Sequence, residues 1–221
     1  MHIEPGFVAP AKVAIANAGA IGVFAWGCKE QIKEFLRQPA VLLKSLLAAG
    51  FFSLFMQSFH MPVGPSELHF VGAMAMYLTL GFTPTLLGFA IGLLFQGLVF
   101  DPGDLYHLGV NSLSLMLPLI SVHYIAGRHF FDPSVQKRLS WARIVKLDAM
   151  YYGGVTGMVG FWLVVGDVAT PLSAWASFAG SYLAIVAFEP VVTYLGVRGL
   201  KSLESNGLVA RLTAVRELRI A

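Results

Sequence analysis

The residues best suited to chemistry stand at the start of the chain, Met1-His2-Ile3-Glu4-Pro5-Gly6. An α-amine, a backbone nitrogen and an imidazole fall there within two residues. The amine titrates near ~7.8 and the imidazole near ~6.5, so both offer lone pairs around neutral pH. Such a set can clamp a borderline divalent cation. The stretch is too short and too acidic for a signal peptide, which carries a basic region before its apolar run. The competing reading makes His2 merely the second residue of a loose terminus.

Two further stretches carry groups that could join it. HMPVGPSELH, His60 to His69, holds two prolines and a glycine and cannot continue a spanning helix. Irregular backbone is expected there, delivering His69 to the outer start of a short helix; backbone that dips inward must be covered by protein. His69 is the first choice to join the terminus as a metal ligand, and His60 fits a ligand, a supporting group or a local cap. In Leu94 to Pro118, Gln96 and Asn111 are amides near the outer ends of apolar stretches, where such groups face a bundle interior. Either amide can orient a ligating imidazole or position the terminal segment. Asp104 and His107 suit support or an access route, and Ser112 and Ser114 bond back to their own helix or across to a neighbour.

The elements that must position these groups are membrane helices. Of 221 residues 57% are hydrophobic and 12% charged, against about 25% charged in soluble domains, and the mean hydropathy is +0.71. The fold class expected is an all-α polytopic membrane protein. Seven apolar stretches are read, at about 8–28, 40–59, 68–80, 83–100, 108–126, 144–165 and 173–197; a spanning helix needs about 20 residues. The third is short, and Pro118 predicts a kink in the fifth. Residues 1–201 form one membrane domain and 202–221 a short tail, with an amphipathic helix lying in solvent or on the bilayer surface.

Basic residues follow the odd-numbered stretches: Lys29, Lys33 and Arg37; Arg128, Lys137, Arg138, Arg143 and Lys146; Arg198, Lys201, Arg211, Arg216 and Arg219. Lys44 joins them and only Lys12 lies near the other side. Cytoplasmic loops concentrate Lys and Arg, so the N-terminus is expected outside and the C-terminus in the cytoplasm. Four of the six histidines, His2, His60, His69 and His107, then share the outer face with Glu4, Glu67, Asp101, Asp104 and Asp167. Such a face attracts and can ligate a cation from outside.

Other features exclude more than they suggest. One cysteine, Cys28, rules out disulfide frameworks and cysteine-based clusters within the chain. No nucleotide-binding, hydrolase or zinc-protease motif occurs, so no enzyme is read. The modest net charge of +3 comes with no nucleic-acid module. Gly153, Gly157 and Gly160 suit helix crossing or subunit contact. Asp148 could pair with Arg143 or Lys146, and Glu189 reads as a hydrogen-bonded interior acid. The methionines read as core.

At MHIEPGF, PVGPSELHFVG and FQGLVFDPGDLYHLGVNSLSLMLP the sequence resembles the CbiM/NikM family, the substrate-capture membrane components of energy-coupling-factor cobalt and nickel transporters. Gln96, Phe100, Asp101, Gly103, Leu108, Gly109 and Asn111 keep much of a family pattern, and the resemblance is good over Met1 to Ala126. It implies a divalent cation, Co²⁺ or Ni²⁺, as substrate, and no organic cofactor. The implied donors form a plane: the Met1 amine, the His2 backbone nitrogen and imidazole, and the His69 imidazole. A deprotonated backbone nitrogen favours Ni²⁺ or Co²⁺ over Zn²⁺, which has no electronic preference for a plane. His60, Glu67, Gln96, Asp104, His107 and Asn111 would surround them. The implied partners are a membrane coupling protein, cytoplasmic ATPase subunits and a small accessory membrane protein, in a bacterial cytoplasmic membrane. The chain departs from the pattern at Glu4-Pro5-Gly6, where family members usually have Asp before the first glycine, at Glu67 beside the ligand, and at Ser114, where it has Asn. Glu67 adds charge that could alter selectivity or supply a ligand. A secondary permease or a metal sensor without ATPase partners is the alternative.

Overall fold

The computed structural model describes residues 2–3, 6–29, 39–63, 66–135 and 137–221; of His2 and Pro39 it describes the backbone. Met1, Glu4, Lys33 and Arg37 lie outside the described residues. The helices are α1 (Pro10–Cys28), α2 (Pro39–Ser58), α3 (Ala73–Leu80), α4 (Phe82–Val99), α5 (Leu108–Val122), α6 (Trp141–Val165), α7 (Leu172–Ser202) and α8 (Gly207–Leu212). Five described segments are long and apolar enough to cross a membrane: α1, 40–58 of α2, α4, Leu108–Phe130 and α7. α6 is 25 residues long, but Arg143, Lys146 and Asp148 in its first turns lower its hydropathy. The chain is thus an all-α, polytopic membrane protein.

Proline sets several helix starts, since its missing N–H costs nothing in the first turn; Pro10 opens α1 and Pro39 opens α2. Pro118 sits inside α5, and the regular helix gives way one turn later to a π-helical turn, His123–Gly127, and a 3₁₀ turn, Arg128–Phe130. α2 packs along α4, α1 along α5, and α6 between α5 and α7.

The third apolar stretch is not one helix. Residues 66–69 are a strand and α3 has eight residues, about 12 Å at 1.5 Å per residue. The break falls at Gly72, whose φ is +65° and where a Cβ would lie 2.3 Å from the Phe55 ring. Only glycine meets both demands. Glu189 of α7 accepts a hydrogen bond from the Met74 N–H at 3.3 Å and one from the Tyr152 hydroxyl, placing a carboxylate at the positive end of α3. Glu189 is therefore the hydrogen-bonded interior acid expected. Asp148 is not ion-paired with Arg143 or Lys146 as anticipated: it is fully buried, and among the described residues neither carboxylate oxygen has a hydrogen-bond partner. Arg143 instead donates to the Arg138 carbonyl.

The glycine stripe also reads differently in three dimensions. A methyl group added at Gly153 or Gly157 would meet no atom, whereas one at Gly154 would meet Pro118 and one at Gly160 the Trp175 indole. Of the tail, α8 is followed by a packed segment with Ala214, Val215 and Leu218 buried. It ends in β5 (Arg219–Ile220), parallel to β4 (Arg138–Leu139). The tail is thus fixed against the bundle rather than loose.

Candidate metal centre

The candidate site is built on a three-stranded sheet where irregular backbone was expected. β1 (His2–Ile3), β2 (His60–Val63) and β3 (Ser66–His69) lie in the order β1-β3-β2, both pairs antiparallel. The Pro- and Gly-rich segment that ends α2 forms this hairpin because four residues on each side can pair. Register then fixes the neighbours: His60 stands across from His69, and His2 across from Glu67. Side chains alternate along a strand, so Glu67 and His69 share a face, with His60 beside them. The imidazole planes of His60 and His69 are 28° apart with centroids at 6.2 Å. Glu67 bridges them: Oε1 is 3.1 Å from His60 Nδ1 and Oε2 is 3.0 Å from His69 Nε2. The second nitrogen of His69, Nδ1, lies 3.4 Å from the Met56 carbonyl, a brace that fixes the ring and presents Nε2.

The terminal strand is held from its other side by α5. The Ile3 N–H donates to Asn111 Oδ1 at 3.3 Å, and the Ile3 carbonyl accepts from His107 Nδ1 at 2.9 Å. Ile3, His107 and Asn111 are all buried. Backbone groups of successive strand residues face opposite ways, so with those of Ile3 turned to α5, those of His2 turn towards β3. Asn111 and His107 are therefore clamps on the N-terminal backbone. The Nε2 of His107 is buried with no hydrogen-bond partner among the described residues.

Gln96 lines the same cavity as His69 and bonds to α2. Its carbonyl accepts from Gln57 Nε2 at 2.6 Å and its own amide donates to the Ser53 carbonyl at 3.2 Å. It ties α4 to α2 beneath the hairpin. Gln57, His60, Glu67, His69, Asp101 and Asp104 line a cavity of about 230 Å³ on this face, so Asp104 stands on the approach to His69. Asp101 caps the turn Pro102–Leu105 by accepting from the Gly103 N–H at 2.9 Å. Ser114 bonds back to the Val110 carbonyl and accepts from the Trp162 indole, so it does both things open to it.

His60, Glu67, His69, Gln96, Asp104, His107 and Asn111 are thus gathered at one end of the bundle, with the backbone of His2. Met1 lies outside the described residues. Among those residues no three His, Cys, Asp or Glu side chains converge as a metal cage. Two contributors escaped the sequence reading. Gln57 is a polar residue inside an apolar span and carries the same signal as Gln96. Asn17 accepts from the Gly109 N–H at 2.6 Å, and a Cβ on Gly109 would lie 2.4 Å from it; Asn17 is the one amide in α1 and is equally visible. On the same end Lys12 pairs with Asp167 at 2.5 Å, and the Asp167 N–H donates to the Phe7 carbonyl.

The family model described as the cobalt uptake substrate-specific transmembrane region, CbiM, matches residues 2–206. No curated protein matches the chain. A solved structure of a transition metal transporter is 22% identical, with a TM-score of 0.71 over 95% of this chain and 96% of its own. A truncated transition metal transporter is also 22% identical, with a TM-score of 0.68 over 93% of this chain and 99% of its own. The chain shares their fold. It belongs to the CbiM family, and as a multi-pass, non-enzymatic membrane component of a transporter it serves the uptake of a divalent transition metal, Co²⁺ or Ni²⁺.

Proposed function

We propose that the chain captures Co²⁺ or Ni²⁺ from outside the cell in a four-nitrogen site made by the Met1 amine, the His2 backbone nitrogen and imidazole, and His69. It acts as the substrate-capture component of an energy-coupling-factor transporter, with a membrane coupling protein, cytoplasmic ATPase subunits and a small accessory membrane protein. Seven passes place the N-terminus outside and the tail in the cytoplasm, the third being made by β3, a glycine break and α3. What supports this is the basic charge at the end opposite the hairpin, where Lys29, Lys44, Arg128, Arg143 and Lys201 stand at or near helix ends and Arg138 in β4.

One observation carries the site: the terminal strand is paired with β3 opposite Glu67, two residues from His69, and clamped through Ile3 by Asn111 and His107. A frayed terminus would need neither clamp. Donors held in register bind without further loss of chain freedom, which favours tight capture. A plane of strong nitrogen donors suits Ni²⁺ and Co²⁺ better than Zn²⁺.

The test is an inserted residue between Met1 and His2. It separates the amine from the backbone nitrogen and imidazole while leaving Ile3 and its clamps in place. Calorimetric titration of purified protein with a verified N-terminus is expected to show high-affinity Ni²⁺ or Co²⁺ binding in the parent and none in the insertion variant. Equal affinity in both would remove the terminus from the site.

A further inference from the structure

The geometry points to a second, transient metal site, His60 with Glu67, from which the cation is handed to His69. It rests on the reading of His69 as a ligand and adds the route by which the cation reaches it. Three donors stand in a row from solvent inwards. The side chains of His60, Glu67 and His69 are 55%, 25% and 6% exposed, and all three line the cavity that also holds Asp101 and Asp104.

The spacing suits a cation at each step. Donors bound at about 2.0–2.2 Å to one cation stand roughly 3 Å apart when their bonds meet at a right angle. The Glu67 oxygens lie 3.1 Å from His60 Nδ1 and 3.0 Å from His69 Nε2. Each imidazole–carboxylate pair therefore already has the bite of a bidentate site, and a cation bound by both displaces the hydrogen-bonding proton to water with little movement of either side chain. Because one carboxylate serves both pairs through its two oxygens, Glu67 can keep hold of the cation while the nitrogen partner changes from His60 to His69.

The same geometry makes the outer site weak. Two protein donors leave the rest of the cation's shell to water, and no three described His, Cys, Asp or Glu side chains converge on one point. A route needs binding strong enough to enter and weak enough to leave. The hairpin supplies the path at no extra structural cost, because its register alone sets His60 opposite His69. Asp101 and Asp104 beside the mouth raise the local concentration of cations.

The experiment is stopped-flow mixing of the full chain, with its native N-terminus and in lipid discs, with Ni²⁺ and with Co²⁺ in turn. His60→Ala and Glu67→Gln are each expected to slow association roughly tenfold, the low end of what a focusing acidic cleft contributes. Dissociation slows in parallel, since the same path serves both directions, so the equilibrium affinity moves less than the rate. Glu67→Asp, which keeps the charge and shortens its reach, is expected to fall between Glu67→Gln and the parent. Unchanged association in both His60→Ala and Glu67→Gln overturns the route. So does a loss of affinity with the association rate preserved, which would make Glu67 a ligand of the final site. Failure of the centre itself reads differently: His69→Ala would then keep the parent's affinity, whatever the rates at His60 and Glu67.

Discussion

The two ends of the bundle use one device for different ends. At each, side chains from helices seize the backbone of a terminal segment. At the hairpin end Asn111 and His107 hold Ile3, and all three residues are buried. At the opposite end Lys44 donates to the Thr213 carbonyl at 3.2 Å and Lys201 to the Val215 carbonyl at 3.0 Å, from partly exposed positions. Neutral groups buried without water must be paired or cost about 1–3 kcal/mol each. Exposed cations can return to solvent and contribute roughly 0–1 kcal/mol. The first arrangement fixes atoms in place; the second only keeps a tail from wandering. That contrast marks the hairpin end as the place where position matters.

The sharpest way to break the comparison is to remove one imidazole from each end. His69 lies on β3 within the site, whereas His129 belongs to the 3₁₀ turn at the far end. Calorimetric titration with Ni²⁺ and Co²⁺ is expected to show binding lost in His69→Ala and retained in His129→Ala. Similar losses in both would mean that the chemistry is not confined to the hairpin end.

A smaller effect is expected from the clamp. Asn111→Ala strands the buried Ile3 N–H and loosens the backbone that carries the proposed terminal donors, without touching one of them. Support of this kind is worth about 10–100-fold in metal affinity, and the same titration measures it. Parent-like affinity in Asn111→Ala would show that the site tolerates a free terminal strand, and the distinction between the two ends would lose its force.

These residues also show how much is legible in the chain alone. The long apolar runs and the charges at their ends make the membrane architecture readable, because lipid leaves the backbone few alternatives to helix. His69 and the amides Gln96 and Asn111 stand out because polar groups are scarce in such runs. The hairpin does not, since Pro62, Gly64 and Pro65 signal interruption and say nothing of pairing between residues 60–63 and 66–69. The pairing of β1 with β3 joins positions more than sixty residues apart, and a two-residue strand has no period to detect. Gln96 reads from the sequence as a support for an imidazole or the terminal segment, and its place beside His69 in the cavity accords with that. Its bonds to Gln57 and Ser53 on α2 do not show in the sequence, because which helix faces which is a packing result, invisible in composition. The β4–β5 pairing hides for the same reason, and the tail's buried Val215 and Leu218 look like ordinary residues in a polar stretch.

The smallest expected effect tests the far end. Lys201 sits near the close of α7, donates to the tail backbone and pairs with Glu204 at 2.6 Å. In Lys201→Met the aliphatic stem survives and the charge goes, so the loss is that of the partly exposed contacts to the tail backbone and to Glu204, roughly 1 kcal/mol or less together. For a chain of this size that lowers the thermal midpoint by about 2–4 °C at most, measurable by scanning fluorimetry. The metal affinity of Lys201→Met is expected to equal the parent's, because more than three turns of α7, roughly 20 Å, separate Lys201 from Phe188, which meets Phe70 beside β3. An altered affinity would show that the tail and the metal centre are coupled along that helix. The route is visible: α7 packs against β2 and β3, and it carries Glu189, which holds the start of α3 a few residues beyond His69.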